Sequence, residues 1–181
     1  MRLLDENDSL LLIIDVQEKL VTAVNKISVI DKTTKLVKAA GILGIPVIVS
    51  EQYPQGLGDT VKEVKENLPV NTYIQEKTSF SILNEQGFLD KLKSYGKKQI
   101  VLCGIETHIC VYQTAIELAN AGFEVIVVKD ACASRNKYEF EQGISAIQLG
   151  GAKISCLEMI LFEWLKGAKH PKFKEVQALI K

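Results

Sequence analysis

The sequence predicts a doubly wound α/β fold, a three-layer structure in which helices cover both faces of a six-stranded parallel sheet. Three observations carry that prediction. Six short runs rich in Val, Ile and Leu are continuously apolar rather than alternating, the pattern of strands covered on both sides. Segments with helical spacing separate them, as βαβ units require. Three chemically able side chains, Asp15, Lys77 and Cys110, fall at or just after the carboxyl ends of such runs. That is the side of a parallel sheet on which ligands bind, near the point where strand order reverses.

The first run, residues 9–14 (SLLLII), is a buried strand, and Asp15-Val16-Gln17 follows it. A helix is predicted over 29–43, with Ile30, Leu36, Val37, Ala40 and Leu43 on its apolar stripe and Gly44 as a stop signal. Residues 46–50 (PVIVS) make a second strand, and 51–58 (EQYPQGLG) read as a Pro- and Gly-rich loop. A polar helix over 60–67 leads to a third strand over 71–75, with Glu76 and Lys77 at its end. Residues 84–95 form a helix with Phe88, Leu89 and Leu92 inward. The fourth strand is 99–103, and an elbow leads into a helix that runs to Ala121 and is closed by Gly122. The fifth strand is 124–128, ending at Asp130-Ala131-Cys132, and a helix over 137–149 is stopped by Gly150-Gly151. A short sixth strand, 152–155, precedes an apolar helix over 157–165. The tail from His170 opens with Pro171 at a helix start.

Composition bounds the rest. A chain of 181 residues fits a single domain, 1–181, with no linker or repeat. Lys+Arg and Asp+Glu are 22 each and scattered, which argues against nucleic acid or an anionic membrane as partner. The early apolar run is too short to span a bilayer, and no charged segment before it suggests a signal peptide. The cysteines, Cys103, Cys110, Cys132 and Cys156, form no CxxC pair and sit in apolar sequence, the usage of a reducing compartment. A cytoplasmic location is therefore expected.

The stretch 104–115 (GIETHICVYQTA) concentrates the chemistry. Its helix places Val111, Ala115, Leu118 and Ala119 on one buried stripe, and Cys110 falls at or just before the first helical turn. There the free N–H groups and the macrodipole favour a thiolate. The other three cysteines read as core thiols. His108 stands close to Cys110 in sequence, but so near a neighbour points elsewhere, to a structural or rim role. Lys77 taken alone reads as a solvated surface lysine. Gln17 either orients Asp15 or bonds the following loop. Gln52, Tyr53 and Phe80 are candidates to line a pocket, Phe80 equally for plain core. The apolar helix around Ile160 to Leu165, with Trp164, serves either an oligomer interface or the sheet.

Four segments together, LLLIIDVQ, YIQEKTSFS, GIETHICVYQTA and VIVVKDACAS, resemble the isochorismatase-like cysteine hydrolases over nearly the whole chain. The tail HPKFKEVQALIK is similar to the branch of isochorismatase domain-containing proteins. The resemblance implies strand order 3-2-1-4-5-6, with strands one and four adjacent at the switch point. It puts the family's catalytic Asp, Lys and nucleophilic Cys on Asp15, Lys77 and Cys110. It also implies a non-proline cis peptide between Ile105 and Glu106, with the Glu106 and Cys110 N–H groups forming an oxyanion hole. Homo-oligomers, dimers or larger, are implied as well.

Two departures narrow the activity. Nicotinamidase members bind a divalent metal through an Asp and two His after the second strand; this chain has EQYPQGLG there and only His108 and His170 elsewhere, so neither metal nor other cofactor is expected. Members that cleave the vinyl ether of isochorismate lack the nucleophilic cysteine, which this chain keeps. The expectation is a metal-independent cysteine hydrolase of a small amide or related C–N substrate, acting through a thioester. The alternative is a non-catalytic member of the same fold serving as a partner-binding or assembly module. A nucleotide-binding Rossmann protein is disfavoured, because DVQEKL stands where GxGxxG would follow the first strand.

Overall fold

The computed structural model describes residues 2–24 and 27–181. The continuous apolar runs form one six-stranded parallel sheet in the order β3-β2-β1-β4-β5-β6. The strands are β1 (Ser9–Ile14), β2 (Val47–Gln52), β3 (Tyr73–Lys77), β4 (Gln99–Ile105), β5 (Glu124–Ala133) and β6 (Lys153–Ser155). Order reverses between β1 and β4, which pair from Ser9↔Gln99 to Ile14↔Gly104. Leu10 to Ile14 are wholly inaccessible, as a strand covered on both faces requires.

The helices are α1 (Glu18–Val24), α2 (Ile27–Leu43), α3 (Pro54–Leu57), α4 (Lys62–Lys65), α5 (Phe88–Ser94), α6 (Tyr112–Asn120), α7 (Lys137–Leu149), α8 (Leu157–Leu165) and α9 (Phe173–Gln177). On one face α2 packs against α8, α9 and β5, and on the other α6 packs against α7 and β5. Trp164 of α8 is buried, its Nε1 donating to Ser9 Oγ at 3.0 Å, so this helix is fastened to the sheet. Met159 and Phe162 on its outer side remain exposed.

Several boundaries differ from the sequence reading, each for a local reason. β2 runs on to Gln52, and β3 lies two residues later than expected, because Ser50↔Gln75 and Gln52↔Lys77 pair across them. A strand thus takes residues assigned to a loop. The segment 60–67 keeps only the short α4, and the expected helix over 84–95 shrinks to α5, with a 3-10 turn at Ile82–Asn84 before it. There the Ser81 hydroxyl accepts from Leu83 N and caps the 3-10 turn that takes up Asn84. The helix α1, which carries the chain away from Asp15, has no counterpart in the sequence reading. β5 continues to Ala133 through an irregularity: Leu102 pairs with Val127, but Gly104 pairs with Cys132. The tail helix starts at Phe173, with Lys172 rather than Pro171 at its cap.

Candidate active site

Each site residue is delivered by the end of a strand. Asp15 follows β1 with φ 51°, a left-handed conformation that Asp tolerates, and its N–H donates to Ser50 O at 3.2 Å. Its carboxylate is fully buried. Ser50 Oγ donates to Oδ1 at 2.6 Å, and Lys77 Nζ lies 2.7 Å from Oδ2. That approach is an ion pair outside hydrogen-bond geometry, so Oδ2 has no hydrogen-bond donor of its own. A buried carboxylate oxygen that faces an ammonium only as an ion pair keeps lone-pair capacity to accept a proton.

Lys77 closes β3, two strands from β1, a gap of about 10 Å that its extended side chain crosses over the end of β2. Neither Lys77 nor Asp15 has any accessible side-chain surface. The ammonium also donates to Gln52 Oε1 at 2.5 Å and to the Ser79 and Phe80 carbonyls at 3.1 Å each. A lysine that sequence alone reads as solvated is held by these acceptors.

Cys110 comes from the elbow after β4, where Thr107–Val111 form a π turn ahead of α6. The Ile105–Glu106 peptide before it is cis. The thiol is 7% exposed and interacts with both Asp15 and Lys77, which gathers the three side chains into one cluster. Burial pushes the thiol up to about 12, and the Asp15 charge adds to this while Lys77 opposes it. This reverses the sequence expectation of a favoured thiolate. Cys110 precedes the first turn of α6, and burial is the largest influence on its thiol.

Two close approaches fix the elbow. Gly104 has φ 136°, and a Cβ there would lie 2.0 Å from the Ile14 carbonyl oxygen. A Cβ on Gly143 of α7 would lie 2.8 Å from His108 Cα. His108 has partners other than Cys110, with Nδ1 3.0 Å from Ser134 Oγ and Nε2 3.5 Å from Glu139 Oε2. Glu106, nearly buried, accepts from Arg135 N at 3.0 Å and Arg135 Nε at 3.2 Å, so the chain after β5 is tied to the elbow.

The remaining candidates divide. Gln17 is buried and bonds the loop, not Asp15: its amide spans Gln52 O and Gly58 O, and its Oε1 accepts from Gln52 N. Gln52 reaches Lys77. Tyr53 and Phe80 are exposed at 56% and 54%, which places Phe80 outside the core. Cys103 and Cys132 are buried, and Cys156 is half-buried at the start of α8. Sequence reasoning passes over Ser50, although a small hydroxyl ending a central strand is a signal for a partner to a strand-end carboxylate. Cavities of about 650 and 620 Å3 run along β6, away from this cluster. A smaller one of about 130 Å3, lined by Tyr53, Gln55, Thr78 and Glu85, adjoins Lys77. The cluster is the candidate on its chemistry, not on volume.

Comparison with known proteins gives a consistent picture. Residues 9–159 match the family model described as the isochorismatase domain. The chain is 38% identical over 179 residues to isochorismatase domain-containing protein 2 of Xenopus laevis, covering 98% of this chain and 85% of that protein. It is 35% identical over 181 residues to the secreted isochorismatase effector Isc1 of Phytophthora sojae, covering 97% and 85%. Among solved structures, the MAR1 ribonuclease of Caenorhabditis elegans superposes with a TM-score of 0.93 at 39% identity, covering 99% of this chain and 92% of that one.

Proposed function

The chain belongs to the isochorismatase family, and from that premise we propose that it is a metal-independent cysteine hydrolase of a small amide or related C–N substrate. One observation carries the reading: the Cys110 thiol lies against a buried carboxylate whose Oδ2 lacks a hydrogen-bond donor and whose charge Lys77 balances.

The resting thiol is neutral, so proton transfer and attack proceed together. Asp15 Oδ2 takes the Sγ proton as sulfur bonds to the carboxamide carbon, and the carbonyl electron pair moves onto oxygen. In this mechanism the Glu106 and Cys110 N–H groups hold the oxyanion, each worth roughly 3 kcal/mol in comparable sites. Collapse breaks the C–N bond, and Asp15 gives its proton to the leaving amine. Water then attacks the thioester carbon as Asp15 takes its proton; collapse breaks the C–S bond, Asp15 returns the proton to sulfur, and the acid is released. Lys77 contributes a fixed positive charge that keeps Asp15 available as a base.

The free thiols support a reducing, cytoplasmic setting, and Met159 and Phe162, exposed on α8, support assembly into a homo-oligomer. No helix among the described residues is long and apolar enough to cross a membrane. The nematode relative is named a ribonuclease; for this chain the balanced charge favours a small substrate over RNA. The test is ammonia release across a panel of small amides, with RNA cleavage run in parallel. The wild type is expected to release ammonia from at least one amide and Cys110→Ala from none. Undiminished turnover by Cys110→Ala overturns the mechanism. No turnover at all, with Cys110 alkylated no faster than Cys103, favours the non-catalytic module.

A further inference from the structure

The Lys77 ammonium faces the Asp15 carboxylate and three further acceptors, Gln52 Oε1 and the carbonyls of Ser79 and Phe80. It has three N–H bonds to give, so none is left over for a substrate or a proton-transfer step. The acceptors are themselves held. Gln52 Nε2 donates to Thr78 O at 2.9 Å, and Glu85 Oε1 accepts from both Thr78 N and Ser79 N at 3.0 Å. Thr78 is thus gripped at its carbonyl by Gln52, and Thr78 and Ser79 at their amides by Glu85. Gln17 fixes the main chain of Gln52 on both its N–H and its carbonyl.

We propose that Gln52 and Glu85 are positioning residues that set the place of the Lys77 charge through residues 78–80, and that Gln52 is not a substrate contact. This rests on the hydrolase reading for its consequence and on Lys77 alone for its geometry. The Glu85 carboxyl is held below the usual carboxylate range, first by the Ser79 N–H, so it accepts as an anion at neutral pH. A lysine displaced from this cage offsets less of the negative potential at Cys110, and the thiol rises further.

Two measurements on the purified full chain test this. In 15N-lysine NMR, the Lys77 ammonium is expected to be protected from exchange in the wild type, as a caged, inaccessible group is. Gln52→Leu and Glu85→Ala each lose that protection, while Glu85→Gln, which keeps an acceptor oxygen, retains it. In parallel, the iodoacetamide rate at Cys110 is followed against pH by peptide mass spectrometry. The first two variants are expected to shift the profile alkaline by about one unit, about tenfold slower alkylation at a given pH. With an amide in hand, they lower kcat and leave KM unchanged. Wild-type exchange and profile in both variants overturn the proposal, as does a rise in KM alone for Gln52→Leu. Should Gln52→Leu fail to fold, Glu85→Ala, altered at a half-buried site, decides it. An active Cys110→Ala would remove the cysteine-nucleophile reading, and the ammonium signal would still test the cage by itself.

Discussion

Cys110 differs from the chain's other buried thiols in its company, not in its burial. Cys103 and Cys132 are pushed up by desolvation as Cys110 is, with Asp130 adding to both, whereas at Cys110 the Asp15 charge is opposed by Lys77. Asp15 raises the thiol while serving, in the proposed mechanism, as its base. The two effects separate on Asp15→Asn. Removal of the anion leaves Lys77 to act alone, so iodoacetamide alkylation of Cys110 is expected to move to lower pH. Amide turnover is expected to fall by about 10³, the scale of a lost general base. An alkaline shift, or turnover within tenfold of wild type, counts against this role for Asp15. These residues are legible in the sequence because Asp15 and Cys110 follow apolar runs. The burial of Lys77 is not, since it depends on β3 pairing two residues beyond its apolar stretch, with partners distant in sequence. Gln52 reads from sequence as a pocket residue, and its bond to Lys77 is one that only spatial neighbours reveal.

The elbow works as an element because two backbones touch it. Gly104 lets β4 lie against the end of β1 just where Asp15 leaves the sheet, and Gly143 lets α7 lie against the turn that carries Cys110. Gly104→Ala drives a Cβ into main-chain atoms of Ile14 at a φ that alanine avoids, and is expected to prevent soluble folding. Gly143→Ala is milder, since its Cβ would lie 2.8 Å from His108 Cα rather than 2.0 Å from a carbonyl oxygen, and at a φ that alanine adopts. It is expected to lower stability by about 1–3 kcal/mol, the cost of overpacking, in urea titration. A larger proportional effect is expected on turnover, because the displaced atoms are those of His108, two residues from the nucleophile. Equal losses in both would mean that α7 supports the fold and not the site. Elements of this kind divide in legibility. β1, α7 and α8 have the bounds their apolar patterns predict. The irregular run of β5 to Ala133 follows from pairing with β4 and leaves no trace in periodicity.

At the scale of the whole molecule the charges cancel, and stability against pH is governed by what the core does to its titratable groups. Three thiols, Cys103, Cys110 and Cys132, are raised from an ordinary 9.0, the first two to about 12. Below pH 9 folded and unfolded chains both keep these protons, and the thiols contribute their full stabilisation. Between pH 9 and 12 the unfolded chain releases protons that the fold retains, so stability falls as pH rises, by about 1 kcal/mol per thiol per pH unit. Tyr95, raised by partial burial, acts in the same direction. Urea titrations at pH 8 and pH 10 are therefore expected to show a loss of several kcal/mol for the wild type. The double variant Cys103→Ala, Cys132→Ala starts less stable, having lost buried volume, but is expected to lose about 2 kcal/mol less across the same interval. The difference between slopes isolates the thiols from the lysines and tyrosines that titrate in both proteins. Parallel slopes would mean that the core admits the Cys103 and Cys132 thiolates without cost, and the linkage of stability to burial of these thiols would fall.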